Sequence, residues 1–146
     1  MTITNPSFLP LTSPLVLLVE DNTVALKLVE TIVAQTGCRF VSVTDGESAL
    51  ELAKSVDFEL IITDLGLPGI SGAELASQIR EREKALNLEQ VPIIGLTAQK
   101  LNESESKCLQ AGMNKVLNKP LYLNEMHELI FQFVSQDFAD HRRDFC

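Results

Sequence analysis

Apolar positions along the chain fall into short runs separated by longer amphipathic stretches. Five runs stand out, at 15–19, 39–44, 60–63, 92–96 and 115–117. The first, third and fourth are apolar on both faces, the pattern of parallel strands covered by helices on each side. The second and fifth are less uniform and suit the edges of a sheet. Between the runs lie helical patterns. Val24, Leu28 and Ile32 recur at four-residue spacing and predict an apolar helix face, with Gly37 where that helix should end. Residues 46–55 carry Ala49, Leu50 and Ala53 on one side, and 71–86 carry Leu75 and Ile79 among many charges expected to face water. Residues 102–111 open with a capping Asn102 and stop at Gly112. The last helix shows Met126, Leu129, Ile130 and Phe133 at i, i+3, i+4 and i+7.

Strands alternating with helices predict an α/β fold whose parallel sheet is built from right-handed βαβ units. One domain over residues 15–135 accounts for them. Residues 1–14, rich in Thr, Ser, Asn and Pro and without a period, read as a leader or linker, and 136–146 read as a polar tail. In open sheets of this kind the functional site lies beyond the carboxyl ends of the strands.

That rim collects a particular set of side chains. The first strand runs into Glu20, Asp21 and Asn22, the third into Asp64, Leu65 and Gly66, the fourth into Thr97, and the fifth into Lys119 and Pro120. Carboxylates brought together repel, and a hard dication resolves the conflict. Glu20, Asp21 and Asp64 are therefore candidate ligands for Mg²⁺ (or Mn²⁺). A central carboxylate can itself attack a phosphoryl group, while Lys119 and the Thr97 hydroxyl stabilise charge on its oxygens. Each residue alone has an ordinary explanation, such as Asp21 or Asn22 capping a helix, or Lys119 standing in solvent. Their joint placement on four strand ends carries the reading.

Composition narrows the field. The chain has 146 residues, 45% hydrophobic and 22% charged, with a formal charge of −8 and no basic stripe, which argues against a nucleic-acid surface. Its apolar stretches are too short to span a bilayer, and no secretory signal pattern opens it. Cys38, Cys108 and Cys146, odd in number and widely spaced, are expected as thiols in a reducing cytosol. His127 and His141 are expected in structural or solvated roles.

With these pieces in place the chain resembles the receiver domains of two-component response regulators, and most of all those fused to hybrid sensor histidine kinases. The matching motifs are L-V-E-D-N at 18–22, T-D-G-x-x-A-L at 44–50, D-x-x-L-P-G-x-x-G at 64–72, G-L-T-A at 95–98, A-G-M at 111–113 and K-P at 119–120. The resemblance implies a flavodoxin-like, doubly wound five-stranded sheet of order 2-1-3-4-5 with five helices. It implies that Asp64 is the phosphoacceptor, loaded from a phosphohistidine, and that Asp21 binds Mg²⁺ directly, Glu20 through water, and Gly66 through its backbone carbonyl. Thr97 and Lys119 match the hydroxyl and lysine that contact the phosphoryl group, and Pro68 and Gly72 shape the loop after Asp64. Such a domain catalyses its own phosphorylation and dephosphorylation. Its implied partners are a histidine kinase and a histidine phosphotransfer protein, met on the surface of the fourth helix, fifth strand and fifth helix. The implied setting is the cytoplasm, or the cytoplasmic face of the membrane within a hybrid kinase, with no nucleic acid, no direct membrane contact, and a monomer or weak homodimer.

Two positions depart from the family. Val116 stands where a switch aromatic is common, three residues before Lys119, and Gly66 is small for its place. Three other readings compete. A degenerate receiver would bind partners without phosphorylation. A haloacid-dehalogenase-type phosphatase would need an acid where Gly66 stands. A nucleotide-binding Rossmann domain would need a glycine-rich turn where Glu20 and Asp21 stand.

Overall fold

A computed structural model of the chain describes residues 3–4, 13–99 and 103–134. In chain order the strands are β1 (Ile3–Thr4), β2 (Leu15–Val19), β3 (Arg39–Val43), β4 (Leu60–Asp64), β5 (Ile93–Thr97) and β6 (Lys115–Asn118). The helices are α1 (Thr23–Gln35), α2 (Gly46–Ser55), α3 (Gly72–Ala85), α4 (Glu103–Gln110) and α5 (Leu123–Phe133). The sheet runs β1-β3-β2-β4-β5-β6. Its last five strands are parallel, in the order 2-1-3-4-5 expected of a doubly wound sheet.

Alternating side chains from each central strand feed two cores. Val16, Leu18, Ile62 and Ile94 point to one side and meet Leu26, Val29 and Val33 of α1 and Met126 and Leu129 of α5. Leu17, Ile61 and Ile93 point to the other and meet Ala49 of α2, Leu75 and Ile79 of α3, and Cys108 of α4. Each fully buried Leu or Ile contributes about 1.5–3 kcal/mol, so this double layer accounts for the doubly apolar runs read along the chain.

Four expectations need correction or addition. The face of α1 turned to the core is Leu26, Val29 and Val33, whereas Val24 and Leu28 are 70% and 58% exposed. The apolar arc of the helix is wide, running from Leu28 and Ile32 round to Val33 and Leu26, so period alone does not select which part of it is buried. In α3 not every charge faces water: Glu83 is buried, held by Arg80 Nη1 at 2.7 Å and by the Val91 N–H at 2.8 Å. Within 1–14, Ile3 and Thr4 pair antiparallel with Ser42 and Val41 and give the sheet a sixth strand. Strand ends fall about a residue from expectation, so that Asp64 and Thr97 close their strands. The expected cap Asn102, the tail 136–146, His141 and Cys146 lie outside the described residues. Among those described, Cys38 and Cys108 are buried, which pushes both thiols up, and no helix is long and apolar enough to cross a membrane.

Candidate functional site

Backbone pairing continues past the strands and carries the key side chains to one rim. The Glu20 N–H donates to Val43 O at 3.1 Å, so Glu20 still lies in the sheet's line. Asn22, not Asp21, caps α1, accepting from the Ala25 N–H at 2.9 Å, which leaves the Asp21 carboxylate available. At the end of β4, Leu65 N–H donates to Leu96 O, and Gly72 packs so closely on Asp64 that a Cβ there would lie 2.5 Å from the Asp64 carbonyl oxygen. Thr97 closes the neighbouring strand and is buried; its Oγ1 accepts from the Gln99 N–H at 3.1 Å, so its proton is still available to donate. Lys119 N–H donates to Thr97 O at 2.8 Å, placing the lysine across from it, ahead of a cis bond to Pro120.

The five predicted side chains therefore share one end of the sheet. A carboxylate oxygen from each of Glu20, Asp21 and Asp64 lies within 4.8 Å of the others. The Lys119 ammonium stands 2.5 Å from Glu20 Oε1 and 3.1 Å from Asp64 Oδ1. Burial pushes the Glu20 carboxyl above its usual range; the Lys119 hydrogen bond opposes this and the Asp64 carboxylate adds to it. For Lys119 burial acts to lower the ammonium, but hydrogen bonds to Glu20 and Asp64 outweigh it and hold the group above its usual value.

The residues fit a hard cation. All donors are oxygens, and Glu20 Oε2 is buried without a hydrogen-bond partner, a costly state that a dication would relieve. Gly66 follows on the exposed loop, and an added Cβ there would meet nothing within 4 Å. Val116 is buried in the second core, opposite Gly95 on β5, so it is a packing residue.

An apolar cavity of about 250 Å³ opens beside these groups, lined by Val19, Ala25, Leu28, Pro120 and Leu121 along with Glu20, Asp64 and Lys119. The sequence pattern gives no hint of it, because the four-residue spacing assigns Leu28 to the core face. A larger cavity of about 510 Å³ lies at the opposite end of the sheet, among Phe58, Ile79, Val91 and Phe133, away from the titratable rim.

Residues 16–131 match the family described as response regulator receiver domain. The chain belongs to that family. This receiver is 32% identical over 126 residues to the sensor protein GacS of Pseudomonas syringae pv. syringae, covering 85% of the chain and 14% of that protein. It spans 7–14% of the length of the first curated relatives it matches. The receiver domain of the sensor histidine kinase PA1611 from Pseudomonas aeruginosa, a crystal structure with magnesium coordinated in its active-site cleft, superposes with a TM-score of 0.75 at 34% identity, covering 84% of this chain and 98% of that one. The receiver domain of Ssk1, solved with the histidine phosphotransfer protein Ypd1 of Saccharomyces cerevisiae, gives 0.78 at 30% identity, over 86% of this chain and 91% of that one.

Proposed function

We propose that this receiver takes a phosphoryl group from a phosphohistidine onto Asp64 and passes the signal to a partner within a phosphorelay. The observation that carries the reading is the Asp64 carboxylate held between the Lys119 ammonium and the Glu20–Asp21 pair. An Asp64 oxygen attacks phosphorus, the P–N bond to the donor imidazole breaks with its electron pair returning to nitrogen, and an acyl phosphate forms. Lys119 meets one phosphoryl oxygen and the Thr97 hydroxyl donates to another. Glu20, Asp21, Asp64 and the Gly66 backbone carbonyl would hold Mg²⁺ (or Mn²⁺), Glu20 through water. Once bound, that ion neutralises charge on the phosphoryl oxygens.

The partner is a histidine kinase or a histidine phosphotransfer protein, and exposed Leu28 on α1, lining the apolar cavity beside Asp64, offers it a dry contact. This setting is cytoplasmic, without nucleic acid or direct membrane contact, with the domain spanning 15–135 as a monomer or weak homodimer, free-standing or fused to a hybrid kinase.

Incubation with Mg²⁺ and acetyl phosphate, followed by intact mass, is expected to add one hydroxylamine-labile phosphoryl group, and none in Asp64→Asn. An adduct that persists in the variant, or none with any of several donors, overturns the assignment.

A further inference from the structure

The loop between Asp64 and α3 carries the Gly66 carbonyl, and its far half is gripped from another element. Glu47, in the first turn of α2, accepts a hydrogen bond from the Ile70 N–H at 3.1 Å, across 23 residues of sequence. Gly69, at φ +73°, lies directly beneath the same carboxylate, so close that a Cβ on Gly69 would strike it. Gly46 makes a second contact with the same stretch, since a Cβ there would lie 2.9 Å from the Ile70 carbonyl oxygen. The start of the loop is fixed by Gly72 N–H donating to Leu65 O at 3.0 Å.

Glu47 is not needed as the helix cap. Asp45 holds that place, accepting from the Ser48 N–H at 2.7 Å and from its hydroxyl at 2.9 Å. The Glu47 side chain is exposed and turned onto the loop, although a water-facing acid at this position would serve the helix dipole equally well. Its reach over Gly69 therefore needs an account outside α2.

We infer that Glu47 is a positioning residue for the phosphoacceptor loop: its carboxylate, acting as a hydrogen-bond acceptor for Ile70, sets where the backbone between Asp64 and Gly72 lies and so tunes metal affinity. The inference rests on the reading of Asp64, Asp21 and Gly66 as metal-binding groups. Glu47 touches no reacting atom, and it works through the three residues Leu67, Pro68 and Gly69 that separate Ile70 from Gly66.

The test is Mg²⁺ titration by calorimetry of wild type, Glu47→Ala and Glu47→Gln, with thermal melts and acetyl phosphate labelling beside it. Glu47→Ala is expected to weaken Mg²⁺ about three- to tenfold, below the cost of losing a group bonded directly to a ligand. Labelling of that variant should recover at saturating Mg²⁺. Glu47→Gln keeps the acceptor oxygen and should bind Mg²⁺ like wild type. Unchanged affinity in Glu47→Ala overturns the inference. So does an equal loss in both variants, which would assign the effect to charge, and so does a lowered melting temperature with affinity intact. A wild type that binds no Mg²⁺ overturns the metal-site reading itself instead.

Discussion

The Lys119 ammonium reaches back across 99 residues to stand 2.5 Å from the Glu20 carboxylate, and it touches Asp64 from the same position. Without a metal, this one cation offsets two partly buried acids. It also stands among the oxygens that a dication would use, so lysine and metal repel while both are present.

Lys119→Met should therefore separate two roles. Removing the positive charge is expected to tighten Mg²⁺ binding about fivefold. Loss of a donor to the phosphoryl oxygens is expected to slow labelling by acetyl phosphate about a hundredfold. Calorimetry and time-resolved intact mass read the two effects, and weaker Mg²⁺ binding in the variant would contradict the competition.

Gly66→Met should lengthen the life of the aspartyl phosphate. The position is exposed and open, so a side chain enters without a clash and covers the acyl phosphate from water. Decay of the labelled protein, followed by mass after removal of the donor, checks this; an unchanged half-life removes the idea.

Arg80 should prove costly to lose. It joins α3 to the turn before β6 through Gly112 O at 2.9 Å and Asn114 Oδ1 at 2.9 Å, while pairing with buried Glu83. Arg80→Met is expected to destabilise by about 3 kcal/mol because Glu83 is left buried beside an apolar side chain. The double variant Arg80→Met with Glu83→Leu should recover part of that loss in urea unfolding.

Asp45 offers a pH-dependent test. Hydrogen bonds from the Ser48 N–H and then its hydroxyl hold its carboxyl below the usual 3.8. A lowered carboxyl stabilises the fold above its unfolded value, and that contribution fades as pH falls through the folded one. Asp45→Ala should cost about 1 kcal/mol at neutral pH. The gap to wild type in urea midpoints should close as pH drops below 3.8.

The rim was legible because its residues sit directly after apolar runs, and a parallel sheet brings such positions together whatever lies between them. Glu20, Asp21, Asp64, Thr97 and Lys119 all follow that logic. Side-chain placement within helices was less legible. In α1 two apolar stripes compete, and the buried one also contains Glu30, whose carboxylate accepts from the buried Ser42 hydroxyl at 2.7 Å. A charge on the core side misleads any reading by polarity. The same holds for Glu83, which is tolerable in the core because Arg80 and the Val91 N–H both meet it there. Ile3 and Thr4 were invisible for a different reason: two residues are too few to show a period. Val116 was recognised as a departure, but its burial against Gly95 and the second core emerges only from the packing.

The added strand β1 changes what the outer edge of the sheet presents. Arg39, at the amino end of β3, holds Ser13 O with two guanidinium hydrogen bonds, so a chain entering at Ser13 would join the domain at the edge remote from Asp64. Ile3 pairs with Ser42 and Thr4 with Val41, so this short strand runs antiparallel to β3 along its outer edge. The backbone edge that β3 would otherwise present to other chains is thereby covered at Val41 and Ser42, which leaves less of it open to unwanted strand pairing.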